Sequence, residues 1–158
     1  WGSFYGANLV LEYPEYYECF IGTGQVVDMV KNEEALKQEA TLWADGDEES
    51  LKLVNQLTPN LMTMEHIIAR NTIMQKYGYD MMVNGSDYNL VTTLIFNPNY
   101  SMIDWFNYLK SNMDVYLDFF ASEEFASFSL LGRTDYEVPF YNINGDKDYQ
   151  TNYKLAQE

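Results

Sequence analysis

Cysteine and histidine are nearly missing: the 158-residue chain holds one of each, Cys19 and His66. A single cysteine closes no intrachain disulfide and gives no sign of an oxidising compartment, so a cytoplasmic setting is expected. A single histidine excludes a zinc site assembled from several His or Cys ligands. It also leaves a Ser-His-Asp triad only His66, unless the histidine comes from outside the chain. Positive charge is scarce as well, with 9 Lys+Arg against 24 Asp+Glu and a net charge of −15. Nucleic-acid binders need clustered cations to displace condensed counterions, so no nucleic-acid partner is expected, and docking on an anionic membrane surface is disfavoured too. No apolar run approaches the roughly 18 residues that a membrane-spanning helix requires, so no membrane partner is expected. The chain starts at Trp1 with neither an initiator Met nor a signal-peptide pattern, and is expected to be processed, proteolysed or cut from a longer gene.

What is present is apolar and aromatic. Hydrophobic residues make up 47%, enough for a buried core at this length. With 14 Tyr, 9 Phe and 3 Trp, the rings exceed what one small core holds, so some are expected to line a surface or pocket that something else covers. The small and apolar residues of Gly2 to Glu12 predict a helix ending before Tyr13-Pro14. Tyr17–Ile21 reads as a buried strand, flanked by Gly22-Thr23-Gly24. Asn32 can cap a helix with Glu33 and Glu34 in its first turn, running to about Ala44. Asp47 caps a second, which carries Leu51, Val54 and Leu57, and Met62 to Lys76 predicts a third. An apolar stretch follows at Leu90 to Phe96. Ser101, with Asp104 three residues on and Tyr100 placed to staple against Trp105, marks the start of a long helix. Its face of Ile103, Phe106, Leu109, Met113, Leu117 and Phe120 is apolar. Val138–Ile143 reads as a second strand, and a last helix is expected near Thr151.

Several constellations fail as sites. Gly22-Thr23-Gly24 lacks the third glycine of a dinucleotide loop, where Val27 stands, and is better read as a sharp turn off a strand. Asp45, Asp47 and Glu49 alternate as in a calcium loop, but Ser50 and Gln56 occupy the positions of its glycine and closing glutamate; Asn144, Asp146 and Asp148 fail in the same way. No metal or cofactor is expected. His66, among Met62, Met64, Ile67 and Ile68, reads as a half-buried structural histidine, because no Ser or Cys of this chain has a nucleophile's signature.

Three separated segments resemble the α/β-hydrolases, within them the cap-bearing proline-iminopeptidase-like group. Trp1-Gly2-Ser3 through Gly6, followed by Tyr13-Pro14-Glu15, is similar to the end of a G-x-S-W-G elbow and the helix after it. Ile21 through Val27 resembles the end of the next strand, where the family's chain enters its cap. Val138-Pro139-Phe140-Tyr141 with Gly145-Asp146-Lys147-Asp148 resembles the later strand and its acid-bearing turn, and Asn97 through Lys110 resembles a cap helix. The resemblance implies that Asp148 is the triad acid and that Trp1 N–H is an oxyanion donor. The nucleophilic serine would directly precede Trp1, while Ser3 lies in the following helix. The family's histidine lies beyond Glu158.

The expected fold class is therefore an α/β-hydrolase fragment, with a mostly helical cap inserted between two parallel core strands. Its divisions are residues 1–31 (elbow helix and one strand), 32–136 (cap) and 137–158 (strand, acid turn and part of a helix). The function implied is that of a partial serine hydrolase, the intact parent cleaving an ester, amide or N-terminal peptide bond of a small-molecule or peptide substrate. The alternative is a non-catalytic helical module with an aromatic interaction surface. As a fragment, the chain exposes apolar faces of Leu9, Phe20 and Phe140 that the parent would bury, and is expected to self-associate.

Overall fold

A computed structural model describes residues 2–59, 63–79, 97–120 and 122–157. The small and apolar N-terminal run forms α1 (Gly2–Glu12), which stops where Tyr13-Pro14 opens a single 3₁₀ turn. The strands begin later than their apolar runs suggest, at β1 (Phe20–Thr23) and β2 (Phe140–Ile143). Tyr17 is still held in the 3₁₀ turn through its N–H to the Pro14 carbonyl. Pro139 has no N–H for the ladder, but its carbonyl accepts from Phe20 N at 2.9 Å. The two strands run parallel, pairing Phe20 with Phe140 through Thr23 with Ile143.

Between the strands lie α2 (Met29–Trp43), α3 (Glu48–Gln56), α4 (Met64–Lys76), α5 (Met102–Phe120) and α6 (Glu123–Ser127). Asp28, not Asn32, caps α2: its carboxylate accepts from Lys31 N at 2.8 Å. Both residues are chemically able to cap, and Asp28 acts one turn earlier, which frees the Asn32 amide for tertiary bonding. Asp47 caps α3 as its sequence context indicates. Thr63 caps α4 through His66 N, so that helix begins at Met64. Ser101 and Asp104 form a reciprocal capping box on α5, each side chain accepting the other's backbone N–H, and the Tyr100 and Trp105 rings lie 5.8 Å apart. Leu90 to Phe96 lies outside the described residues.

The main core is a helical one. Leu36, Ala40 and Ala44 of α2 and its C-cap meet Val54 and Leu57 of the α3 segment and Ala69, Ile73 and Met74 of α4. Alanines at the crossing let the helix backbones approach, while each fully buried Leu36 or Ile73 contributes about 1.5–3 kcal/mol. A smaller cluster of Ala7, Val27 and Leu130 joins α1 to the segment before β2. At the other end Trp43 stacks on Tyr79 (4.5 Å) and meets Tyr149 edge-on (4.8 Å), which fastens the C-terminal segment to α2.

Two expectations are corrected here. The class is not an α/β-hydrolase fragment: among the described residues there are six α-helices and one two-stranded parallel sheet, a mostly helical fold without a hydrolase core. The three matching motifs are strand ends, tight turns and helix starts, and such local features recur wherever a strand meets a turn. The helix expected near Thr151 is also replaced by turns and a 3₁₀ segment, Leu155–Gln157. The Gln150 carbonyl and Asn152 N–H are bonded to α2, so they are withdrawn from an i→i−4 ladder. Of the apolar face assigned to α5, Ile103 and Phe106 point to solvent, and the side chains of Leu109, Met113, Leu117 and Phe120 lie outside those described. Leu9 is exposed as expected, whereas Phe20 and Phe140 are half-buried with their rings 4.8 Å apart. Among the described residues, no helix is long and apolar enough to cross a membrane.

Candidate functional site

The parallel register brings the carboxyl ends of β1 and β2 to one edge. The ladder continues one step past the strands, Gly24 N donating to Ile143 O at 3.2 Å, and then Gln25 N donates to the Asn144 side chain at 3.0 Å. Gly24 sits at φ +58°, a left-handed conformation that turns the chain off the strand and that glycine adopts without a Cβ penalty. The turn after β2 closes with Asp148 N donating to Gly145 O at 3.2 Å, which presents Asp148 at the same edge.

Asp148 is half-buried and well seated. Its Oδ1 accepts from Gln150 N (2.9 Å) and Thr151 N (3.0 Å), and its Oδ2 accepts from Thr151 Oγ1 (2.9 Å). A carboxylate offers about four acceptor positions, so Oδ2 keeps the capacity to take a further N–H. A side-chain carbon placed on Gly24 would lie 3.5 Å from that Oδ2. The amino end of α1 reaches the same edge. Ser3 Oγ donates to Gly24 O at 3.1 Å and accepts from Val26 N at 3.2 Å, and the buried Gln25 amide donates to Ser3 O at 3.3 Å. Ser3 is thus engaged in holding α1 against the strand end. Trp1 lies outside the described residues.

His66 does not join this edge. It is fully buried, deeper than a half-buried structural histidine, in a polar network between α2 and α4. Thr58 N donates to His66 Nδ1 at 2.9 Å, which places the ring proton on Nε2, and that N–H donates to Glu33 Oε2 at 3.0 Å. Arg70 Nε lies 3.1 Å from Glu33 Oε1 and 3.0 Å from Oε2, and Asn32 Nδ2 donates to Oε1 at 3.2 Å. Burial by itself pushes the Glu33 carboxyl up. The Arg70 charge and the bonds from His66 and Arg70 outweigh it and hold the group below the usual carboxylate range.

The same network reaches the acid turn. Arg70 Nη1 donates to the Gln150 side-chain oxygen, and Asn32 Nδ2 donates to Gln150 O at 3.0 Å. Asn32 Oδ1 accepts from Asn152 N at 2.8 Å. Reading the sequence alone misses these residues, although a signal is present. Glu33 is in phase with Leu36 and Ala40, and Arg70 with His66 and Ile73, so charged groups fall on the apolar stripes of α2 and α4.

Comparison with protein-family models, curated proteins and solved structures finds no match to this chain. No group of three or more His, Cys, Asp or Glu able to hold a metal is found among the described residues.

Proposed function

We propose that this chain is the acid-bearing part of a serine hydrolase that cleaves a small ester, an amide or an N-terminal peptide bond. One observation carries the reading: Ser3, at the amino end of α1, and the Asp148 carboxylate both lie against Gly24 at a single strand edge. On this reading the nucleophile would directly precede Trp1, and Trp1 N–H would donate to the oxyanion. Asp148 would orient the imidazole that activates that serine, fixing its tautomer and stabilising the cation formed on proton transfer. His66 is not that imidazole, since both of its ring nitrogens are occupied inside the helical core.

A fluorophosphonate probe tests this. The intact enzyme, carrying its upstream and downstream segments, should be labelled at the residue before Trp1, and the 158-residue chain should not be labelled. Labelling at Ser3 would overturn the reading, because that hydroxyl is committed to Gly24 and Val26. A second reading, a binding module with an aromatic surface, is favoured by the exposure of Met102, Ile103 and Phe106 within one turn of α5. An intact protein that takes no probe would favour it.

A further inference from the structure

We propose that Asn32 and Arg70 are positioning residues for Asp148, holding from the helical layer the turn on which its carboxylate is seated. The inference rests on the hydrolase reading above and names which residues outside the strand edge that site depends on.

The geometry runs in two steps. Asp148 is oriented by the N–H groups of Gln150 and Thr151 and by the Thr151 hydroxyl. Those donors belong to an irregular segment that has no ladder of its own. Its opposite side is fixed by α2 and α4: Asn32 takes the Gln150 carbonyl and the Asn152 N–H, and Arg70 takes the Gln150 side chain. Asn32 and Arg70 are in turn held by one buried carboxylate, Glu33, whose remaining bond is to His66. A continuous chain of hydrogen bonds therefore leads from the α3–α4 linker to the candidate acid. Structural anchoring alone needs less than this. The exposed pair between Lys154 and Glu39 ties the same segment to α2 without bonding residues 148–152.

Two substitutions release the hold without leaving Glu33 unpaired. Arg70→Lys keeps a cation beside Glu33 but is too short and too simple a donor to serve Gln150 as well. Asn32→Ala removes the bonds to Gln150 O and Asn152 N, while Arg70 still pairs with Glu33. In the 158-residue chain, hydrogen exchange at the Gln150, Thr151 and Asn152 amides should quicken about tenfold in both variants, since one well-made hydrogen bond corresponds to a factor of that order. Exchange at Val54 and Ile73, in the helical core, should be unchanged. In the intact enzyme both variants should lower kcat about 10–100-fold with KM within about twofold, as expected when a catalytic group is misplaced by about 1 Å. Lys154→Ala should change neither readout by more than about threefold.

Unchanged exchange at residues 150–152 would overturn the proposal, as would faster exchange with an unaltered kcat. A wild-type intact enzyme without serine reactivity would instead sink the hydrolase reading and the positioning role with it, while the exchange result would still report whether the hold exists.

Discussion

Glu33→Gln is the most informative perturbation of the buried network. Each carboxylate oxygen of Glu33 accepts from two donors, Oε1 from Arg70 and Asn32, and Oε2 from His66 and Arg70. A glutamine offers one oxygen and one NH₂, so either orientation sets the NH₂ against two donors, and Arg70 keeps a charge with no counterion. Breaking a buried ion pair typically costs about 3–5 kcal/mol. The Arg70 side chain is 12% exposed and can recover some hydration, so the lower end, about 3 kcal/mol, is expected at neutral pH. For a chain of this length that corresponds to a fall in Tm of roughly 6–12 °C. The pH dependence has a definite sign. Glu33 is held below its usual range when folded, so as pH falls the unfolded chain takes up the proton first. The native-state contribution is complete above the ordinary glutamate value of about 4.3 and is lost as pH drops through the lower folded value. Urea titrations of wild type and variant should therefore show a constant gap between about pH 5.5 and 8 that narrows below about 4.3. A gap under about 1 kcal/mol at pH 7, or one that persists undiminished to about pH 3, would refute the reasoning.

Three further outcomes are expected. Ile73→Ala, at a fully buried position of the helical core, should cost about 2–5 kcal/mol in chemical denaturation. Thr63→Ala removes the cap of α4 and should cost about 1 kcal/mol, with faster exchange confined to the first turn of that helix. Gly24→Ala forces a Cβ into a left-handed conformation and should cost about 1–2 kcal/mol, while disturbing the amides around Asp148 in NMR spectra.

What could be read from the sequence is local in origin. The limits of α1, the Asp47 cap and the Ser101–Asp104 box depend on neighbours within four residues, and each is found where the local pattern puts it. Asn32 passes for the cap of α2 because it satisfies the same local rule as Asp28, and only the tertiary use of the Asn32 amide separates the two. The parallel pairing of β1 with β2, which only the resemblance implies, holds. The fold class does not: strand ends and tight turns match a large-sheet family as readily as this mostly helical chain. The Glu33 network is hidden by distance along the chain, since its members come from residues 32–33, 66–70 and 150–152. Taken alone, Glu33 passes for an ordinary acidic residue in a first helical turn.

The account turns on Asp148. On the proposed hydrolase reading, its most direct test is the turnover of an activated ester by the intact protein with Asp148→Asn, set beside Asp146→Asn, which alters an exposed carboxylate in the same turn. In the Asp148→Asn variant the amide keeps an acceptor oxygen for the local turn but favours the wrong imidazole tautomer, so kcat should fall by about 10⁴. The Asp146→Asn variant should stay within a few-fold of wild type. Equal, small effects at both positions would contradict the assignment of Asp148 as the acid.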